Sequence, residues 1–139
     1  MARGVEFIRN LVKHLVTTNT HGKCMKNVNI LSAESGRCKA EFEVSEEHTN
    51  LGGSLHGGFT ATVVDCVSTY ALMTNEKNSP GVSVDMHISY MKPAFPGEVV
   101  TVDAKTIRVG RSMAFLTVEL TKNNGKDVIA FGQHTKFIG

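Results

Sequence analysis

No apolar run in this 139-residue chain reaches the length needed to cross a bilayer as a helix, so a membrane span is not expected. Charge of one sign is also lacking. Fifteen Lys and Arg against 13 Asp and Glu leave a formal net charge of +2, and the basic residues are scattered rather than clustered, which argues against a nucleic-acid partner. The three cysteines, Cys24, Cys38 and Cys66, form no CxxC pair and leave one over. With no secretory apolar segment at the start, a reducing compartment is expected. His14, His21, His48, His56, His87 and His134 make no HxxxH or Cys/His cluster, so neither a metal site nor a metal cofactor is expected. Repeats, low-complexity tracts and linkers are absent. A chain 41% hydrophobic and 20% charged is then expected to form one domain, residues 1–139, around one core.

Residues 1–23 carry Arg3, Arg9, Lys13 and Lys23 against a lone Glu6, with Val5, Ile8, Val12 and Leu15 at helical spacing. Phe7, Leu11 and Val16 widen the apolar side, as in a first helix packed on the domain. The same segment is amphipathic and acid-poor, as a mitochondrial targeting segment is, and the two readings are compatible.

Strands are expected at residues 27–32 and 37–44, joined by Ala33-Glu34-Ser35-Gly36. In the second, Cys38, Ala40, Phe42 and Val44 share one face and Lys39, Glu41 and Glu43 the other. Residues 45–54 read as a polar loop, followed by a long helix from Gly57 to about Asn75 and a turn at Asn78-Ser79-Pro80-Gly81. Four strands follow in meander-like succession, at 82–90, 98–109, 112–122 and 127–137, with turns at Gly110 and at Asn123-Asn124-Gly125-Lys126. Simple alternation in the first of these places Ser83, Asp85, His87 and Ser89 away from the helix. The helix is too apolar for a surface position and must be covered on most sides. An antiparallel sheet curled around it, with the N-terminal helix added, is the economical solution: an α+β chain with a hotdog fold.

The chemistry-bearing residues gather around that helix. Asp65 is the only carboxylate between Phe59 and Met73, amid Val63, Val64, Val67, Tyr70, Ala71 and Leu72. A carboxylate in such surroundings is costly, and such surroundings are also where carboxylates are tuned for chemistry. Gly57-Gly58 opens the helix, where unsatisfied N–H groups favour negative charge. The pair lacks the GxGxxG spacing and the lysine of a phosphate loop, so it is read as either a close backbone approach or an oxyanion donor. His56 can be a base or a hydrogen-bonder that shapes the loop. Asn50 can both donate and accept, which suits it to hold a water or a carbonyl. Arg108, Arg111 and Ser112 in the turn around Gly110 read as an ordinary basic hairpin tip or as a phosphate grip.

The runs Glu47-His48-Thr49-Asn50, Leu55-His56-Gly57-Gly58, Thr60-Ala61-Thr62, Asp65, Gly81-Val82-Ser83-Val84-Asp85-Met86, Tyr90-Met91 and His134-Thr135-Lys136 together resemble the hotdog acyl-CoA thioesterases of the PaaI-like group over nearly the whole chain. The resemblance implies hydrolysis of medium- to long-chain fatty acyl-CoA to the free fatty acid and CoA, with CoA as part of the substrate and no separate cofactor. It implies Asp65 as general base or nucleophile, Gly57 as the backbone donor to the thioester carbonyl, Asn50 and His56 as positioning groups, and Ser83 as a hydroxyl from the partner subunit. It further implies CoA contacts from Tyr90, Arg108, Gly110, Arg111, Ser112 and Phe137, a homotetramer built as a dimer of dimers, and a lipid-transfer protein as a partner. The expected location is cytoplasmic, mitochondrial or both, with nuclear presence open. The other reading, from a different class, is a non-catalytic acyl-CoA-binding regulatory module in the same groove.

At about 1.5 Å per residue, Gly57 and Asp65 lie about 12 Å apart along the helix axis. If both serve one reacting centre, a second subunit must supply one of them.

Overall fold

The structure is a computed structural model, and it describes residues 4–76 and 79–139. Arg3, expected in the N-terminal helix, and Asn78, expected in the turn after the long helix, lie outside the described residues. Helix α1 (Val5–Leu15) is followed by a 3-10 turn (His21–Met25), strands β1 (Asn29–Glu34) and β2 (Arg37–Glu43), and a second 3-10 turn (Glu46–His48). Helix α2 (Gly57–Met73) and strands β3 (Val82–Tyr90), β4 (Val99–Val109), β5 (Met113–Lys122) and β6 (Asp127–Phe137) complete the chain.

The six strands form one sheet in the order β1-β2-β4-β5-β6-β3, antiparallel throughout. Only β4, β5 and β6 run as a meander. Strand β3 does not join β4, as simple succession suggests. It lies at the far edge against β6, and the chain then crosses back to place β4 beside β2. Local alternation carries no information about which long-range partner a strand takes, so only the partner differs from expectation.

The sheet wraps α2. Val63, Val64, Val67, Ala71 and Leu72 of the helix are at most 1% exposed, together with Phe42, Val100, Val102, Val118 and Leu120 from the sheet. Strand β6 comes close to the helix at Gly132, where a Cβ would sit 2.9 Å from Val64 Cγ1. Gly132 therefore lets the strand settle onto the helix where any side chain would hold it off.

Helix α1 ends at Leu15, short of the 1–23 span expected. It buries Ile8 and Val12 and packs Val5, Phe7, Leu11 and Leu15 against the same core, so its apolar side is used in packing. Its polar side closes one sheet edge: Arg9 donates to the Ile30 carbonyl of β1 from Nε (3.2 Å) and Nη2 (3.0 Å). Strands β1 and β2 meet across Ser35 and Gly36, both at positive φ (49° and 80°), a tighter hairpin than the four-residue link expected.

The face of Ser83 is also reversed from simple alternation. The β3–β6 register slips between Ser83 and Asp85, so Val84 is an extra residue in the ladder. Ser83 pairs with Lys136, and Met86, Ile88 and Tyr90 pair with His134, Gly132 and Ala130; the β6 partners are all buried on the helix side. Asp85, His87 and Ser89 keep the outer face, while the bulge turns Ser83 inward. Gly132→Ala should lower stability by about 1–3 kcal/mol through forced separation of β6 from Val64, read as a fall in urea midpoint without a change in slope.

Candidate active site

Helix α2 begins at Gly57 because His56 caps it. The residue is extended (φ −68°, ψ 130°), and its Nδ1 accepts the Gly58 N–H at 2.7 Å. A Cβ on Gly58 would lie 2.9 Å from that nitrogen, so the second glycine makes room for the cap. With Nδ1 accepting, the ring proton resides on Nε2, and His56 presents a donor rather than a base. The Gly57 N–H has no partner among the described residues, while its carbonyl accepts the Tyr90 hydroxyl at 2.9 Å. Tyr90 thus braces the turn that carries the free N–H.

Asn50 is built into the preceding loop. Its Oδ1 accepts the Ser54 N–H at 3.2 Å and its Nδ2 lies 3.2 Å from Ser54 Oγ, which leaves a second amide proton to offer. Asn50 and His56 line one open depression with Thr49, Leu51, Gly52 and Ser54. The loop is tied to the core through His48, which stacks on Phe59 at 4.3 Å, meets Phe42 edge-on, and accepts the His56 N–H at its carbonyl.

A second group lies further along α2, around the half-buried Asp65. The hydroxyls of Ser68 and Thr69 donate to the Asp65 carbonyl at 3.1 and 2.8 Å. His134, 1% exposed, bridges Ser68 Oγ (2.8 Å from Nδ1) and Ser83 Oγ (2.7 Å from Nε2), linking α2, β6 and β3. Since Ser68 donates to Asp65, its oxygen accepts from Nδ1–H, and Nε2 accepts the Ser83 proton. Burial pushes His134 below the ordinary histidine range, and the Lys136 ammonium adds to that shift against the Asp65 and Asp85 carboxylates. Ser83 and Asp65 therefore belong to one group on one chain.

The expected CoA contacts divide in the same way. Arg108, Gly110, Arg111 and Ser112 form the β4–β5 tip, closed by Gly110 N–H to Met113 O at 2.7 Å. Phe137 pairs with Met113 and Val82 beside it, at the Ser83 end of β3. Tyr90 is at the other end of that strand, about 23 Å from Ser83 at roughly 3.3 Å per residue. The candidate residues thus fall into two groups on one chain: Asn50, His56, Gly57 and Tyr90 at the helix mouth, and Asp65, Ser83 and the basic tip further on.

A sequence profile described as Thioesterase superfamily matches residues 52–129, more than half of the chain. The chain belongs to the thioesterase superfamily. Acyl-coenzyme A thioesterase 13 of Homo sapiens is 40% identical over 139 residues, 100% of this chain and 99% of that protein. Among solved structures, zebra fish thioesterase superfamily member 2 superposes with a TM-score of 0.96 at 40% identity, covering 99% of this chain and 100% of that one. Thioesterase superfamily member 2 from Mus musculus gives 0.85 at 42% identity, with 94% and 96% covered. The sheet, the wrapped helix and α1 make up the hotdog thioesterase fold that these neighbours share.

Three residues of this thioesterase-superfamily chain escaped the sequence reading as site components: Ser68, His134 and Lys136. A signal for them was present. On β6 the inward positions run Ala130, Gly132, His134, Lys136, so two polar residues occupy a buried face. Ser68 stands three residues after Asp65, within reach of its carbonyl.

His48 is also held below the ordinary histidine range, chiefly by burial, with Glu47 opposing. For two histidines whose folded pKa is depressed, the unfolded chain takes protons first as pH falls. Their contribution is complete above the ordinary value of 6.5 and is lost as pH drops below it toward the folded values. The urea midpoint should therefore fall between about pH 7 and about pH 5, with a shallower dependence in His134→Gln.

Proposed function

We propose that the protein hydrolyses fatty acyl-CoA thioesters of medium to long acyl chain, at a site completed by two subunits. The division of the functional groups carries this reading. The free Gly57 N–H and the Asp65 carboxylate lie about 12 Å apart on one helix, too far to act on one carbonyl. Antiparallel pairing of two α2 helices brings the Gly57 of one subunit to the Asp65 of the other.

The sheet edges support such pairing. Arg9 covers the β1 edge, whereas β3 presents Val82 at 68%, Val84 at 57% and Tyr90 at 57% exposure along an edge with no partner strand among the described residues. An open edge of this length is a template for a second copy. Two such dimers make the tetramer, and light scattering should give four times the 15.1 kDa chain mass.

In the shared site, water adds to the thioester carbon as Asp65 takes its proton. Negative charge develops on the carbonyl oxygen against the Gly57 N–H, a fixed donor of a kind worth about 3 kcal/mol in the transition state. Collapse breaks the C–S bond and releases the fatty acid and the CoA thiolate. Asn50 and the His56 Nε2–H add donors around the thioester, Ser83 holds the water, and Arg108 and Arg111 meet the CoA phosphates.

Asp65→Asn should leave the fold intact and lower kcat by about 10²- to 10⁴-fold in a DTNB assay over a chain-length series of acyl-CoAs. A folded variant with near-normal kcat would overturn the reading. Wild-type protein that binds acyl-CoA tightly and releases no thiol would instead be a binding module. Single-turnover hydrolysis in H₂¹⁸O should leave Asp65 unlabelled, since label in the carboxylate would make it the nucleophile.

A further inference from the structure

Lys136 has no place in the chemistry above, and stability does not explain its position. It is 4% exposed, and its ammonium has one hydrogen-bond partner among the described residues, Thr69 Oγ1 at 2.5 Å. Removing an ammonium from water for a single hydroxyl is unfavourable, and an apolar side chain of similar length fills such a space without that penalty. Burial lowers the lysine pKa, and the nearby Asp65 carboxylate works in the opposite direction.

The Thr69 hydroxyl does two things. It accepts from Lys136 Nζ and donates to the Asp65 carbonyl at 2.8 Å, so ammonium, hydroxyl and carbonyl form one polarised chain. His134, two residues earlier on the same face of β6, makes the parallel link through Ser68 to the same carbonyl. Two side chains of one strand therefore fix one helical turn. The ammonium is engaged by Thr69 rather than by the carboxylate, which leaves the carboxylate oxygens available to a substrate water.

We propose that Lys136 is a positioning residue for Asp65, acting through Thr69 to hold the turn of α2 that presents the carboxylate. This rests on Asp65 serving the hydrolysis proposed above. Lys136 touches no reacting atom, so its removal should affect turnover rather than substrate capture.

The test is a mutant cycle on the full-length protein with acyl-CoA as substrate. Lys136→Met, of similar length and apolar, should fold and lose about ten- to a hundredfold in kcat with KM within about threefold. Thr69→Val should do the same, while Thr69→Ser, which keeps the hydroxyl, should stay near wild type. The double variant Lys136→Met/Thr69→Val should be no slower than the slower single variant, because both break one chain. Fully additive losses, a change in KM alone, or a folded Lys136→Met protein with kcat within about twofold of wild type would each overturn the proposal. If Lys136→Met does not fold, the Thr69 pair decides: equal loss in Val and Ser variants overturns it, and loss in Val alone supports it. Failure here with Asp65→Asn still inactive removes only this inference, whereas an active Asp65→Asn protein removes the reading beneath it.

Discussion

The contact between β6 and α2 at Gly132 and Val64 is the constraint on which the other features depend. Because no side chain intervenes, the strand lies close enough to the helix for His134 and Lys136, further along, to reach its hydroxyls. Those two then set how the Asp65 turn is held. Through His134 the same strand draws in Ser83 from β3. A wider gap at that crossing lengthens each of these bonds at once, which is how interiors packed without slack transmit a local change.

The helix mouth is organised on different physics. Its geometry comes from a cap one residue long, a hydroxyl from Tyr90, and a loop whose amide and hydroxyl groups bond to one another. The two groups are held differently within one chain: one by packing between sheet and helix, the other by hydrogen bonds, of which Tyr90 to Gly57 comes from β3. They share α2 and β3, and the length of each separates them.

Much of this was legible in the residues. The start of α2 at Gly57, the alternation of β2, and the isolation of Asp65 in an apolar helix all follow from patterns a few residues long. The 12 Å separation of Gly57 and Asp65 follows from helical rise alone. What escaped depends on pairings distant in sequence. Nothing within Val82–Tyr90 says that its partner is β6, or that the register slips at Val84. Tyr90, expected at the CoA moiety, also bonds Gly57 in its own chain because β3 ends beside the helix mouth. His134 and Lys136 stood in plain view as two polar residues on an inward face, yet their role depends on the Ser68 and Thr69 hydroxyls 66 and 67 residues earlier.

Val84 also alters how the strand must be counted. Residues after it follow one parity and residues before it the other, so the inward serine is defined by its distance from the bulge and not by its place in an alternating run. A related chain without the extra residue would keep an inward hydroxyl only with its serine directly beside the residue that matches Asp85. Comparison of such chains by position in the strand would then call the same hydroxyl missing in one and present in the other. Comparison through the β6 partner, Lys136, would match them correctly.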